Sequence, residues 1–224
     1  PECPKSSCPS PERYMEMYHC DAEHVYAVTL SAELSGSYNS AELGKNLYKE
    51  EYGEKQIHVF NSKSASVGET LIALKIAECE EKQMSFEEII KTVDAYIEEQ
   101  HTYFVLETLE TLKKNGRLTG VKAMMATALN IKPVMGSTPI GSICQLGQGR
   151  GMKKAIEKMV AQVKKDAIRP EEKILAITHC NCPERAEDMK KMVQEQMKVK
   201  DIIVLDTAGI SSMYAADGGV ILVV

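Results

Sequence analysis

The residues best equipped for chemistry are Ser31-Ala-Glu-Leu-Ser-Gly-Ser-Tyr-Asn-Ser40. They follow an apolar run, Val25–Leu30, that reads as a short buried strand, and they precede a segment that reads as a helix over Ser37–Lys49. At this junction Ser35 and Gly36 put a hydroxyl and an approachable backbone N–H at a helix start. The first N–H groups of a helix lack internal partners and its dipole favours negative charge, so the chemistry indicated is anion binding. No cofactor glycine loop surrounds the site, so the anion need not be a nucleotide. The plainer readings are a helix cap for Ser35 and a turn glycine for Gly36.

Other polar positions invite the same two-sided reading. Ser62, Ser64 and Ser66 lie in the turn Asn61–Gly68, where turn chemistry plus an N-cap accounts for at least two of them. Arg117 follows Asn115-Gly116, and Arg150 follows Gly147-Gln-Gly149. Each is either a solvated cation or a charge serving a partner surface or a pocket mouth. His179-Cys180-Asn181-Cys182 does not have a familiar zinc spacing and reads as a loop between strand and helix, so no metal is expected. A serine hydrolase built on Ser35 lacks Gly-x-Ser-x-Gly, because the neighbourhood is Glu33-Leu-Ser-Gly-Ser37, and it would need His58 or His179 as base. A phosphometabolite binder using the same helix start is the other alternative. No Walker loop or protein-kinase motif set is present, and no cofactor is expected.

Composition bounds the class. The chain has 224 residues, 44% hydrophobic and 26% charged, as in an ordinary soluble globular protein of one large or two small domains. A net charge of -5 without a dense basic run argues against nucleic acid as a partner. No stretch is long and apolar enough to span a bilayer. Seven cysteines without a pairing framework fit a reducing compartment, the cytoplasm. Twelve methionines and no tryptophan suggest an adaptable core.

The elements that must hold these residues follow from periodicity. Helices are predicted at Pro11–His19, Ser37–Lys49 and Glu69–Lys82. A further helix opens with the capping box Ser85…Glu88 and carries the stripe Phe86, Ile89, Ile90, Val93, Tyr96, Ile97. Strands are predicted at Val25–Leu30, Ile57–Phe60 and Tyr103–Leu106, and a short helix at Thr108–Lys114 stops at Asn115-Gly116. This alternation predicts a mostly parallel sheet flanked by helices. Beyond Ala128 the pattern changes to a hairpin, Ile131–Met135 and Ser142–Leu146. A helix from Met152, a strand Lys173–Thr178, a helix from Pro183 and strands Ile202–Leu205 and Val220–Val224 follow. Two domains are expected: an α/β domain over 1–127 and an α+β domain over 128–224.

Four blocks in this order resemble the DegV family, whose members bind fatty acids. They are Ser6-Ser-Cys-Pro-Ser-Pro11, Leu34-Ser-Gly-Ser-Tyr38, Asn61-Ser-Lys-Ser-Ala-Ser66, and a run from Tyr103-Phe-Val-Leu-Glu-Thr-Leu through Asn115-Gly-Arg117 to Asn130-Ile-Lys-Pro133. The resemblance implies a two-domain DegV-like fold, a parallel-sheet Rossmann-like N-terminal domain plus an α+β C-terminal domain. It implies a carrier with no catalytic residues of its own, a monomer open to peripheral or transient membrane contact. Such a carrier holds a long-chain fatty acid and presents its carboxylate to a separate ATP-dependent fatty-acid kinase subunit, for phospholipid synthesis. Ser6, Ser7, Ser35 and Gly36 would meet the head group, and Arg117 and Arg150 would suit contact with the kinase. Two departures stand out. The family's opening strand and Asp-Ser turn are missing, so several dozen further N-terminal residues are expected. The family's Thr-His-x-Gly-Pro-Gly stretch is replaced by Thr207-Ala-Gly-Ile-Ser-Ser212 and Asp217-Gly-Gly219, with Ser211 and Ser212 as candidate substitutes for the histidine.

Overall fold

A computed structural model describes residues 3–118 and 130–224 of the chain. The boundary expected between 127 and 128 lies outside the described residues. Two sheets organise the rest. β1 (His24–Thr29) and β2 (Gln56–Asn61) pair in parallel, from His24 opposite Gln56 to Thr29 opposite Asn61. Helices cover both faces of this pair. α1 (Pro11–Tyr18) and α2 (Ser37–Tyr52) pack on one side, where Tyr18, Ala41, Tyr48, Ile57 and Val59 form a core. α3 (Val67–Glu81) and α4 (Phe86–Glu98) pack on the other, where Ile72, Ile76 and Cys79 meet Ile89, Val93 and Ile97. The stripe read in α4 is therefore its buried face. The Ser85 hydroxyl accepts the Glu88 N–H, and the Glu88 carboxylate accepts the Ser85 N–H at 2.9 Å, which completes the capping box.

The second sheet has six strands. Its members are β3 (Thr102–Val105), β4 (Ile131–Ser137), β5 (Ile143–Arg150), β6 (Ile174–His179), β7 (Asp201–Asp206) and β8 (Val220–Val223), in the order β5-β4-β3-β8-β6-β7. β6 and β7 pair in parallel; the other pairings are antiparallel. The strand at 103–106 was expected in the first, parallel sheet. Instead β3 lies between β4 and β8, antiparallel to both, with Thr102 opposite Val223. Every residue of β3 is buried, because apolar clusters cover both faces of the sheet at this strand. α6 (Gly151–Asp166) and α7 (Pro183–Gln196) cover one face of this sheet, burying Met159, Val160 and Val163 with Met189 and Val193.

Side-chain alternation along β3 divides the sheet's two faces. Tyr103 and Val105 belong to the core beneath α6 and α7. Phe104 and Leu106 face the opposite way, toward α5 (Glu110–Lys114) and α8 (Gly209–Ala215). α3 joins the two lobes. Ile72, Ile76 and Cys79 serve the first core, while Val67 and Leu71 pack on Ala176 and Val223 of the second sheet.

The α1–α2 contact positions the Ser6 loop, which runs directly into α1. It depends on a close approach at Gly44. A Cβ there would lie 2.6 Å from the Pro11 carbonyl oxygen and 2.7 Å from Tyr14 Cβ. The first obstacle is backbone and cannot rotate aside. Gly44→Ala is expected to lower stability by about 1–3 kcal/mol, the usual cost of overpacking. The check is urea denaturation, with the midpoint shifted and the m-value unchanged.

Candidate functional site

A cavity of about 390 Å³ lies between the lobes, a size typical of small-molecule sites. Its first-lobe wall comes from three loops: 6–9 before α1, 30–37 after β1, and 63–66 after β2. The last two leave the C-terminal ends of parallel strands, the edge at which open α/β sheets bind ligands. The second-lobe wall is the sheet face carrying Phe104, Leu106 and Ile221, together with Leu112 of α5 and part of α8. The body of the cavity is therefore apolar, and hydroxyls gather where the loops meet.

The structure brings Ser6, Ser7, Ser35, Gly36 and Arg117 to this one cavity. Ser6 and Ser35 are half-buried, and Ser7 and Gly36 exposed. The 6–9 and 30–37 loops abut, since a Cβ on Gly36 would lie 3.2 Å from Cys8 Sγ. Gly36 holds the N-cap position of α2. Ser35 Oγ accepts the Ser37 N–H at 3.2 Å and lies 2.9 Å from Ser37 Oγ. Its neighbours are thus hydroxyl and amide groups, and no histidine is among the cavity's lining residues. Among the described residues, a hydrolase using Ser35 has no base in contact with it.

Arg117 is half-buried in the cavity wall. Its Nε donates to the Leu34 carbonyl at 3.2 Å and its Nη1 to the Asn115 carbonyl. It therefore ties the 30–37 loop to the end of α5. Arg150 is not among the lining residues. It sits exposed at the N-cap of α6, opposite Ile131 in the β4–β5 ladder.

The serines of the 61–68 turn divide differently from the expectation. Ser62 Oγ bonds the Ser64 carbonyl within the turn at 3.1 Å. Ser64 Oγ lies 2.5 Å from Thr102 Oγ1 and Ser66 Oγ 3.4 Å from Thr178 Oγ1, so both reach the second lobe. Ser66 occupies the N-cap of α3 at φ 60° without a side-chain cap bond, because its hydroxyl is turned toward Thr178. The β4–β5 turn closes the same rim. Ser31 Oγ donates to the Gly141 carbonyl at 2.9 Å, and Ser142 Oγ to Glu33 Oε2 at 3.0 Å.

Sequence reasoning missed α8. Gly209-Ile-Ser-Ser-Met-Tyr-Ala215 is too short to show a helical stripe, and it opens on a glycine at φ 48°. Yet Ile210, Ser211 and Tyr214 line the cavity, and Tyr214 Oη lies 3.0 Å from Ser6 Oγ. Of the two serines offered as substitutes for a histidine, Ser211 lines the cavity. Ser212 instead pairs with Thr207 Oγ1 at 2.8 Å. At the loop 179–182, His179 Nδ1 accepts the Cys182 N–H at 3.3 Å, and among the described residues no His, Cys, Asp and Glu cluster is arranged to hold a metal ion.

With this geometry in place, comparison with known proteins gives the lineage. A family model described as "Uncharacterised protein, DegV family" matches residues 1–223. The chain belongs to the DegV family. A DegV-family crystal structure from Ruminococcus gnavus, refined with vaccenic acid, is 66% identical. The superposition covers 100% of this chain and 80% of that one, with a TM-score of 0.97. The Streptococcus pneumoniae Fatty Acid Kinase (Fak) B3 protein, loaded with linoleic acid, is 32% identical, with 99% and 78% covered and a TM-score of 0.89. A DegV domain-containing protein of S. pneumoniae serotype 4 is 32% identical over 221 residues, 99% of this chain and 78% of its own length. Among the described residues no helix of this DegV protein is long and apolar enough to cross a membrane.

One carboxylate near the cavity carries a pH signature. Burial pushes Glu69, in the first turn of α3, up to about 7, opposed in part by a backbone hydrogen bond at Ser66. A raised folded-state value means the folded protein holds this proton more tightly than the unfolded chain. Glu69 therefore costs stability increasingly as pH rises from about 4.5 to 7, and fully above that range. Glu69→Gln is expected to stabilise the protein at pH 8 by on the order of 2 kcal/mol and to lose that advantage near pH 4.5. Denaturant titrations of both proteins at the two pH values check it.

Proposed function

We propose that this protein binds a long-chain fatty acid in the inter-lobe cavity and presents its carboxylate to a separate ATP-dependent kinase subunit. The observation that carries the proposal is the cavity itself: a largely apolar slot between two lobes whose lining includes Ser6, Ser7, Ser35 and Gly36. An acyl tail needs a dry apolar wall, and a carboxylate leaving water needs donors. The relatives loaded with vaccenic and linoleic acid support this reading, and the Fak B3 protein supports a kinase partner. On this reading the chain binds, orients and shelters the acid and leaves phosphoryl transfer to its partner. It works in the cytoplasm as a monomer, touching membranes at most transiently, and seven free cysteines accord with a reducing compartment. Ser6, Ser7, Ser35 and Gly36 are the proposed head-group contacts. Arg117 belongs to the mouth, and Arg150 is retained as a partner contact on the exposed surface.

The test begins with protein expressed in bacteria, extracted with organic solvent and analysed by mass spectrometry. Roughly one fatty acid per folded chain is expected. In Ser35→Ala, affinity should fall about tenfold or more, the worth of a hydrogen bond to a charged group. Folded protein that carries no fatty acid, and whose melting temperature rises with inorganic phosphate but not with added fatty acid, would replace this reading with that of a phosphometabolite binder.

A further inference from the structure

We infer that Tyr214 is a head-group residue, its phenolic hydroxyl meeting the ligand's carboxylate from the second lobe. This inference rests on the fatty-acid reading. Its ring is half-buried and packs against the cluster of Phe104, Leu106, Leu112 and Ala215, which fixes its direction. Its hydroxyl lies 3.0 Å from Ser6 Oγ, and both residues line the cavity. A hydroxyl owns one proton and two lone pairs. When Ser6 and Tyr214 bond to each other, one proton is used and the other O–H has no protein acceptor among the described residues. On the first lobe Ser35 and Ser37 form a second hydroxyl pair: their oxygens lie 2.9 Å apart and Ser35 Oγ accepts the Ser37 N–H, while the Ser37 hydroxyl also faces Tyr14.

Both hydroxyl pairs line the cavity, and the loops bearing Ser6 and Ser35 abut at Cys8 and Gly36. The Ser6–Tyr214 pair thus keeps one O–H donor for a carboxylate oxygen of the ligand, in the same cavity as the Ser35–Ser37 pair. Both pairs are hydroxylic and no histidine lines the cavity. Tyr214 also makes the site a two-lobe device: the ligand's charged end touches α8 as well as the loops of the first lobe.

The test compares delipidated wild type with Tyr214→Phe, which keeps the ring and removes the hydroxyl. Affinities for oleate and oleyl alcohol are read by displacement of a fluorescent fatty acid. A hydrogen bond to a charged acceptor is stronger than one to a neutral acceptor, so oleate should weaken about tenfold and oleyl alcohol about threefold or less. Equal weakening of both would mean that Tyr214 only tethers α8 to the Ser6 loop, and unchanged oleate binding would mean no contact; either overturns the inference. A second variant, Tyr214→His, places an imidazole at the same spot. Its oleate affinity, taken relative to wild type at each pH, should rise as pH falls through about 6.5, where an imidazole gains its charge; a ratio that does not change with pH also overturns the inference. Wild type that binds no oleate at all would instead remove the fatty-acid reading beneath it.

Discussion

Two lobes joined everywhere by apolar side chains would leave no slot between them. In this protein the apolar junction is concentrated where α3 meets the second sheet, through Val67, Leu71, Ala176 and Val223. Around the cavity the contacts change character. Ser31 to Gly141, Ser64 to Thr102, Ser142 to Glu33 and Ser6 to Tyr214 are all hydrogen bonds made by hydroxyls. Such bonds fix distance and direction without filling volume, so the lobes are held apart by a set amount and the space between stays open. Each contributes only about 1 kcal/mol net, because water would replace it. The α3 junction, by contrast, buries whole side chains at roughly 1.5–3 kcal/mol each. The rim is therefore the part of the interface that opens at least cost, and the α3 junction is the part that keeps the lobes in register.

Much of this was legible in the sequence because it is local. The Ser85–Glu88 box, the α4 stripe and the strand-to-helix junction at Ser35-Gly36 are each written within a dozen residues. The same junction offered Ser35 and Gly36 as an anion site, although a helix cap and a turn glycine read equally well from the residues alone. What the sequence did not carry was partnership at long range. Thr102-Tyr-Phe-Val105 is apolar throughout, and a run of that kind is equally a parallel or an antiparallel central strand. Its neighbour β8 lies more than a hundred residues on, so no local signal could assign β3 to the second sheet. The same holds for α8. Seven residues beginning at Gly209 make no readable stripe, and Tyr214 becomes significant only once the fold sets it beside Ser6. Arg117 and Arg150 looked alike as sequence, each following a glycine-containing turn. One is drawn into the cavity wall by the Leu34 carbonyl, while the other stays exposed on a sheet edge.

The placement of charge at the mouth bears on the proposed function. Lys63 lines the cavity but is paired with Glu98, and Arg117 spends Nε and Nη1 on the carbonyls of Leu34 and Asn115. Both cations thus arrive partly committed, to a carboxylate and to the backbone, and their geometry is set by those partners. A carboxylate gripped by a forked guanidinium would be held tightly, but its oxygens would lose electron density and accessibility. One held by O–H and N–H donors keeps more of its basicity, because neutral hydrogen bonds are weaker and each leaves a lone pair free. For a protein that only stores an acid, the fork would be the better design. For one that must offer a carboxylate oxygen as a nucleophile to another subunit's phosphoryl group, hydroxyls at an exposed rim are the better design. The cavity's lining carries Ser6, Ser35 and Tyr214 while its two cations are committed elsewhere, and that agrees with the proposed role of presentation over one of storage.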